Sequence, residues 1–319
     1  MRAYILRRLI LFFPTLLIVS FIIFAIMRIV PGDPAEAILA GPTGEGSYTK
    51  EDLEQLRLKL GLDKPLHIQY VSWLWDFVRL DMGESLTQGR PVTDELKLRF
   101  PVTFQLAVLA LLTSVGIAIP IGVLAAIRQD TWVDYIFRSF AILGLAMPTF
   151  WIALLIILVL SRGFNWFPPT GFVHLWDDPL KSSQQLIWPA LALGFHSNGT
   201  MLRLTRAQLL EVLREDYVRT AWAKGLRERV IVVRHALRNA LLPVVTVIGL
   251  QLAALLGGTV LVENIFALPG MGRTLINAVY SRDYPVVQAF IMVLATLHLS
   301  LNLIVDIAYG WLDPRIRYS

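Results

Sequence analysis

The chain has 319 residues, of which 55% are hydrophobic and 17% are charged, and its formal net charge is +5 at pH 7. An average soluble domain carries about 25% charged residues, so a soluble fold of this length would leave a large apolar surface in water. The composition therefore excludes an ordinary soluble domain and favours a membrane protein. The absence of cysteine excludes disulfides and thiolate metal sites.

Six uncharged windows are each long enough to cross the hydrocarbon core of a bilayer, which needs roughly 20 mostly apolar residues. They are Leu9–Met27, Phe100–Ile127, Ser139–Ser161, Ser182–Leu202, Asn239–Val262 and Tyr284–Val305. We therefore predict an all-α integral membrane protein with six transmembrane helices; buried helices in a large soluble core are the disfavoured alternative. The first window is longer than a signal-peptide core of about 7–15 residues, so we expect an uncleaved helix.

The placement of Lys and Arg predicts the orientation. Short loops rich in these residues lie in the cytoplasm, and loops longer than about 60 residues are discounted. With both termini inside, the cytoplasmic segments hold 16 Lys/Arg in 69 residues, whereas the outer segments hold 13 in 113. We predict an N-in/C-in arrangement with two parts. Residues 1–99 form the first span (about 9–30) and a large extracytoplasmic loop, and residues 100–319 form a five-span core with a cytoplasmic segment at 203–238.

The long outer loop contains two recognisable features. A helix is predicted at about Thr49–Leu60, because Thr49 is a suitable N-cap, leucines recur on one face, and Gly61 follows as a stop signal. Residues 70–78 then form an aromatic and apolar cluster, which suits either the membrane interface or packing against the ends of helices.

Polar residues within the predicted spans are candidates for a hydrated passage. The candidate pore-lining residues are His196, Ser197, Asn198, Thr246, Gln251, Thr296, His298 and Asn302. Ionisable groups inside a membrane mark functional sites by default, although a neutral histidine bonded between helices is commoner, and serine or threonine can bond back to its own helix. No standard catalytic motif occurs. Neither histidine has a second ligand one helical turn away, so we predict no metal site.

The segment 203–238 carries nine basic and four acidic residues, which accounts for the net charge and argues against nucleic-acid binding. Residues 214–224 contain no helix breaker, and Gly225 is placed to end a helix in a left-handed turn. A second helix starts near Glu228 and runs into the fifth span. The first of these helices, which ends at Gly225, is short and would lie across the cytoplasmic mouth, a position that suits docking into a soluble partner. A lipid-bound basic helix would carry fewer acids.

The same segment resembles the loop motif of ABC importer permeases, which reads E-A-A, three residues, Gly, nine residues and I-x-L-P. With Gly225 on the motif glycine, Ala221 falls on the second alanine, Leu237 on the leucine and Pro243 on a later proline. Four positions depart from the motif: Arg219, Thr220, His235 and Arg238. These departures resemble the dipeptide/oligopeptide/nickel branch, whose version is similar to EDYVRTAWAKGL and RHALRNALLPV.

The resemblance covers the whole chain and identifies it as similar to the first permease subunit of that branch, which has a long first outer loop. Further segments with the same order and spacing include LGLDKPLHIQYVSWL (60–74), DMGESL (81–86), GRPV (89–92), PIGVLAA (120–126), MPTFWIALL (147–155), GGTVLVENIFALPGMGR (257–273), RDYPVVQ (282–288) and LDPRIR (312–317).

The resemblance implies a permease subunit in a bacterial or archaeal inner membrane, working with a second homologous permease, two cytoplasmic ABC ATPases and an extracytoplasmic solute-binding protein. ATP and Mg²⁺ would be bound by the ATPases; this chain would bind no cofactor and would not be an enzyme. The residues expected to couple to the ATPases are Asp216, Tyr217, Arg219, Ala221, Trp222 and Gly225.

The expected substrates are di- and oligopeptides or related small solutes, such as nickel chelates or glutathione. A self-sufficient secondary transporter of small polar solutes is the alternative. Such proteins usually carry charged relays at mid-membrane, whereas all six windows here are uncharged. An intramembrane enzyme is a third possibility, and it would show a motif such as HExxH or paired aspartates within the spans.

Overall fold

The structure is a computed structural model that describes residues 2–29, 33–40, 46–59, 61–169 and 171–312. Regular structure in these ranges is helical, apart from one isolated bridge between Glu84 and Pro91. The helices are α1 (Arg2–Ile29), α2 (Pro34–Ala40), α3 (Lys50–Lys59), α4 (Leu66–Val78), α5 (Val92–Ile127), α6 (Trp132–Ala146), α7 (Thr149–Phe164), α8 (Pro179–Val212), α9 (Asp216–Ala223), α10 (Glu228–Val230), a π-helical segment (Ile231–Ala236), α11 (Leu237–Ile265), α12 (Met271–Tyr280) and α13 (Tyr284–Leu312).

Among the described residues, four helical stretches are long and apolar enough to cross a membrane. They are Leu6–Ile29, Val92–Ile127, Glu228–Ile265 and Tyr284–Ala308. The pair α6 and α7 adds a fifth if it is taken as one broken span. The window Ser182–Leu202 lies within α8, which is less apolar because it carries a run of polar residues at 196–198.

The prediction of one continuous helix over Ser139–Ser161 is wrong. The chain breaks between α6 and α7, and the two helices are bent by 108°. Met147 is extended, with φ −91° and ψ 128°. The following Pro148 explains this conformation, because its ring disfavours helical backbone in the preceding residue.

Among the described residues, one compact unit comprises 103–169, 171–268 and 300–312, and α8 is its central helix, in contact with α6, α7 and α11. Glycines allow the close approach of α6 and α8. A Cβ built on Gly199 would lie 2.5 Å from the carbonyl oxygen of Ala141, and one built on Gly144 would lie 2.8 Å from that of Phe195. Small residues of this kind are typical of helices packed within membranes.

The other unit comprises the described residues of 2–102 together with 269–299. Its first helix packs against α4 through aromatic rings, with the Phe24 ring 5.5 Å from Tyr70 and 6.1 Å from Trp73. The Tyr70 hydroxyl also lies 2.8 Å from the hydroxyl of Ser20. Part of the predicted aromatic cluster therefore packs against a helix. The domain boundary at residue 99 stays a prediction.

The predicted helix in the long loop is confirmed as α3. The Thr49 hydroxyl accepts a hydrogen bond from the Asp52 backbone N–H (3.2 Å), and the Asp52 carboxylate accepts one from the Thr49 N–H (2.9 Å). This reciprocal pair is a capping box with aspartate in the glutamate position. Gly61 follows with φ +64°. Leu60, the predicted last residue of the helix, lies outside the described residues.

Candidate functional site

The segment predicted to dock a partner folds as expected from the sequence. Helix α8 ends at Val212, a short turn leads into α9, and the next helix begins at Glu228. Gly225 follows the end of α9 with φ +72°. Its N–H donates to the Trp222 carbonyl (2.9 Å), and the N–H of Leu226 donates to the Ala221 carbonyl (3.4 Å). These two bonds form a Schellman motif, in which the left-handed residue is usually glycine.

Helix α9 has a buried face and an exposed face. Val218 and Ala221 are buried against Ile231 of the π-helical segment. Tyr217 and Trp222 are 42% and 48% exposed. Ala221, one of the residues expected to couple to the ATPases, is therefore buried in this contact. Val218 was not predicted to be part of the buried face, although apolar residues three positions apart, such as Val218 and Ala221, lie on the same face of a helix.

The polar candidates on α9 lie at its surface. The Arg219 guanidinium is 3.2 Å from the Asp216 carboxylate, in a pair that is exposed on both sides. Such pairs contribute little to stability, so both groups are available to a partner. The Tyr217 hydroxyl accepts a hydrogen bond from the Asn239 side chain (2.8 Å), which connects α9 to the start of α11.

The π-helical segment Ile231–Ala236 lies between α10 and α11 and was not predicted. The N–H of Leu237 donates to the carbonyl of Val232, five residues earlier. Such π-helical segments are rare in proteins, and a large share of those that do occur lie at functional sites. Here the π-helical segment supplies Ile231, which α9 packs against.

A buried ion pair also lies in this unit, between α6 and α8. Arg206 donates to both carboxylate oxygens of Asp134, at 2.7 and 2.6 Å. The Asp134 side chain is fully buried, and its carboxylate also accepts a hydrogen bond from the Asp130 N–H (3.1 Å). A planar guanidinium matches a carboxylate in this two-bond geometry. The sequence offered only a weak signal, an acid and a base just outside two predicted spans.

The structure brings together two of the predicted pore residues. The Gln251 side-chain nitrogen donates to the Ser197 carbonyl (3.1 Å), which joins α11 to α8. The Gln251 side-chain oxygen and the Thr246 hydroxyl are buried without a hydrogen-bond partner among the described residues. Buried polar atoms usually have a partner, in the protein or as ordered water.

Asn198 of the same unit is a packing residue. It is buried, and with its amide nitrogen turned toward the acceptors it donates to the Ser114 hydroxyl (2.8 Å) and to the Gly194 carbonyl (3.1 Å). Asn198 thereby fixes α8 to α5, and these contacts leave it little freedom to meet a solute.

The remaining pore candidates are distributed between the two units. His196 is exposed and Asn302 half-buried in the first unit. Thr296 and His298 belong to the second, where the Thr296 hydroxyl bonds back to the Met292 carbonyl of its own helix (2.8 Å). His298 is exposed. The described residues contain no group of three or more possible metal ligands, and the absence of a metal site stays a prediction.

Two quoted motifs meet in the second unit in a way that the sequence did not reveal. The Asp283 carboxylate accepts hydrogen bonds from the Ser85 hydroxyl (2.5 Å), the Thr87 hydroxyl (2.9 Å) and the backbone N–H groups of Leu86 and Thr87. Asp283 is buried. The loop after residue 81 is therefore held to the start of α13 by a carboxylate enclosed by donors.

Comparison with known proteins identifies the family of a chain with these features. Residues 118–318 match the family model of the binding-protein-dependent transport system inner membrane component, and residues 1–107 match the model of its N-terminal part. The chain belongs to this family. It is a permease subunit of an ABC importer, a transport subunit, and a multi-pass protein of the inner membrane.

Relatives match this permease over its whole length. A Brucella abortus (strain 2308) protein, named as a peptide transport system permease protein, is 42% identical over 319 residues, with both chains fully covered. The dipeptide transport system permease protein DppB of Escherichia coli (strain K12) is 40% identical over 342 residues, again covering both chains fully. The protein of that name in Alkalihalophilus pseudofirmus is 37% identical over 338 residues, with the same full coverage.

Proposed function

We propose that this permease forms, with a second homologous permease, the translocation path of an importer for di- and oligopeptides. Two cytoplasmic ATPases would bind ATP and Mg²⁺, and an extracytoplasmic binding protein would deliver the solute. The names of the full-length relatives support peptides as the substrate class. Nickel chelates and glutathione are related solutes that the same architecture would accommodate.

The proposal includes six spans with both termini in the cytoplasm. The charge distribution supports it, together with the helices α1, α5, α11 and α13 and the broken pair α6 and α7. The sixth span is α8, whose polar run would be tolerated because it faces other helices and a hydrated path. In this arrangement α9 lies in the cytoplasm and α3 and α4 lie outside.

The single observation that carries the coupling role is the construction of α9. Its inner face is fixed by Val218 and Ala221, while Tyr217 and Trp222 remain exposed at its surface. Beside it lies a cavity of about 600 Å³ lined by charged side chains that include Arg206, Glu211, Arg214, Glu215 and Asp216. A helix that is packed against its own protein on one face and presents aromatic and charged groups elsewhere on its surface is suited to receive a partner and to transmit the partner's movement.

The contact between α9 and the π-helical segment links α9 to the proposed translocation path. The π-helical segment that packs against α9 continues directly into α11, which carries Thr246 and Gln251. The unpartnered polar atoms of these two residues support a hydrated path beside α11. Movement of α9 would therefore tilt the helix that borders this path.

Reconstitution of the complex in liposomes tests the proposed function. The complete complex should take up a labelled dipeptide only when ATP is supplied on the ATPase side and the binding protein on the other. A self-sufficient secondary transporter would instead take up solute through this chain alone, driven by an ion gradient. Uptake by the isolated chain without ATPases would contradict the proposal.

A further inference from the structure

The unit formed by residues 2–102 and 269–299 contains a cavity that the coupling mechanism does not use. Its volume is about 430 Å³, and its walls come from the end of α1, from α4, from the loop after residue 81 and from the start of α13. This volume lies within the range of about 300–1,000 Å³ that is typical of small-molecule sites.

Three buried polar atoms without hydrogen-bond partners among the described residues belong to side chains that line this cavity. They are Arg28 Nε, Gln69 Oε1 and the Tyr284 hydroxyl. Tyr284 is only 6% exposed. Buried polar atoms usually have a hydrogen-bond partner, so three unsatisfied ones around one cavity indicate that a polar molecule completes them.

The chemistry of these atoms defines what would fit. Arg28 Nε can only donate a hydrogen bond and carries a positive charge, so it requires an acidic or carbonyl oxygen. The Gln69 nitrogen already donates to the carbonyls of Leu62 (3.2 Å) and Lys64 (2.7 Å). The remaining Gln69 oxygen can only accept a hydrogen bond, so it requires an N–H or O–H donor.

Other residues that line the cavity carry both positive and negative charges. Lys64 adds a second cation, and Asp76 and Asp81 add carboxylates, while Phe24 and Trp73 supply flat apolar surface. A ligand that satisfies the cavity carries a carboxylate and an ammonium or amide N–H, a few bonds apart, with room for an apolar side chain. A short peptide with free termini has these features.

We propose that this cavity binds a short zwitterionic peptide on the outer side of the permease, before the peptide enters the translocation path. The inference rests on the proposed function, since it places a peptide site in a peptide importer. The polar walls contributed by Lys64, Asp76 and Asp81 favour a water-soluble ligand over a lipid headgroup, which would also need an apolar channel for its acyl chains.

Direct binding to the permease complex without the binding protein tests the site. The complex is placed in phosphatidylcholine nanodiscs and titrated calorimetrically with L-alanyl-L-alanine. We expect saturable binding, and no binding of N-acetyl-L-alanyl-L-alanine amide, which lacks both charges. Tyr284→Phe removes one hydroxyl and should weaken binding about tenfold, which corresponds to about 1.4 kcal/mol. Tyr280→Phe is the matched control, because Tyr280 is 85% exposed and does not line the cavity.

Stability separates a binding role from a structural one. Because the Tyr284 hydroxyl is unpartnered, Tyr284→Phe should leave the thermal midpoint of the unliganded complex unchanged or higher, while it lowers the gain in midpoint on adding dipeptide. The inference would be overturned if N-acetyl-L-alanyl-L-alanine amide bound as tightly as L-alanyl-L-alanine, or if Tyr284→Phe left the affinity for L-alanyl-L-alanine unchanged. It would also be overturned if the titration showed no binding of the dipeptide, as for a cavity that holds water alone, or if only phosphatidylethanolamine occupied the cavity. Uptake by the complete complex would persist in those cases, so the proposed function would stand.

Discussion

Arg206 of α8 donates one hydrogen bond to each oxygen of the Asp134 carboxylate in α6, and the carboxylate is completely buried. This pair joins the central helix of its unit to the first half of the broken pair α6 and α7. A buried ion pair is weak evidence for stability by itself, but removing one partner leaves an uncompensated charge. The pair therefore makes a clear prediction.

Asp134→Ala should lower the free energy of unfolding by about 3 kcal/mol, because Arg206 loses the carboxylate to which it is hydrogen-bonded while it remains largely buried. The double change Asp134→Leu with Arg206→Met should recover most of this loss. The thermal midpoint of the detergent-purified chain measures both. Lys97→Ala, which breaks an exposed pair with Asp94, is the control and should have no measurable effect. If the double variant were as unstable as the single one, the ion pair would not be the cause.

Gly199→Ala should destabilise the contact between α6 and α8, since the added Cβ would lie 2.5 Å from the Ala141 carbonyl oxygen. We expect a loss of roughly 1–3 kcal/mol, as for overpacking in other cores. Gly116→Ala in α5 is the matched control, because its Cβ would meet no atom within 4 Å. Equal midpoints for the two variants would show that the helices do not approach as closely as described.

The capping box of α3 should fade in acid. Hydrogen bonds from the Thr49 backbone N–H and hydroxyl lower the pKa of Asp52 below its ordinary value. A carboxyl with a depressed folded-state pKa contributes stability above its unfolded-state pKa, and this contribution is lost as the pH falls through the folded-state value. Hydrogen-exchange protection of α3, corrected for intrinsic rates, should therefore decrease at acidic pH. Asp52→Ala should show low protection at all pH values; a pH-dependent loss that persists in this variant would exclude the carboxylate as its source.

The six-span arrangement predicts which positions an impermeant thiol reagent can reach. The native chain has no cysteine, so single cysteines report without background. Cysteine at position 47 or 181 should be labelled from outside, and cysteine at position 214 or 319 only after permeabilisation. Position 319 lies beyond the residues that the structure describes. The reverse pattern would contradict the orientation.

The sequence predicted those features that depend on neighbouring residues. The capping of α3 by Thr49, the end of α9 at Gly225 and the start of the next helix at Glu228 follow from local backbone chemistry, and all three are confirmed. The break at Pro148 could have been predicted in the same way, but the apolar character of its window obscured it.

Features that depend on distant residues could not be predicted. Asp134 and Arg206 are 72 positions apart, and Asp283 is almost 200 positions from Ser85. Each pair meets only because helices pack in a particular register. Similarly, the absence of helix breakers and the stop signal at Gly225 predicted α9 as a helix but did not decide which of its faces is buried, since Tyr217 and Trp222 are apolar enough to belong to either face.

The most direct test of the coupling role is the ratio of peptide uptake to ATP hydrolysis in a reconstituted complex with Gly225→Val. A β-branched residue at φ +72° is strained by roughly 1–3 kcal/mol, which should disturb the end of α9. Gly171→Val is the matched control, because Gly171 also has a positive φ and its Cβ would meet no atom within 4 Å. Asp216→Arg reverses an exposed charge on the same helix without straining the backbone. We predict that the Gly225 and Asp216 variants assemble as folded permeases and lose uptake, either by releasing the ATPases or by hydrolysing ATP unproductively, whereas the Gly171 variant transports normally. Normal uptake per ATP in both α9 variants would contradict the assignment of α9 as the coupling helix.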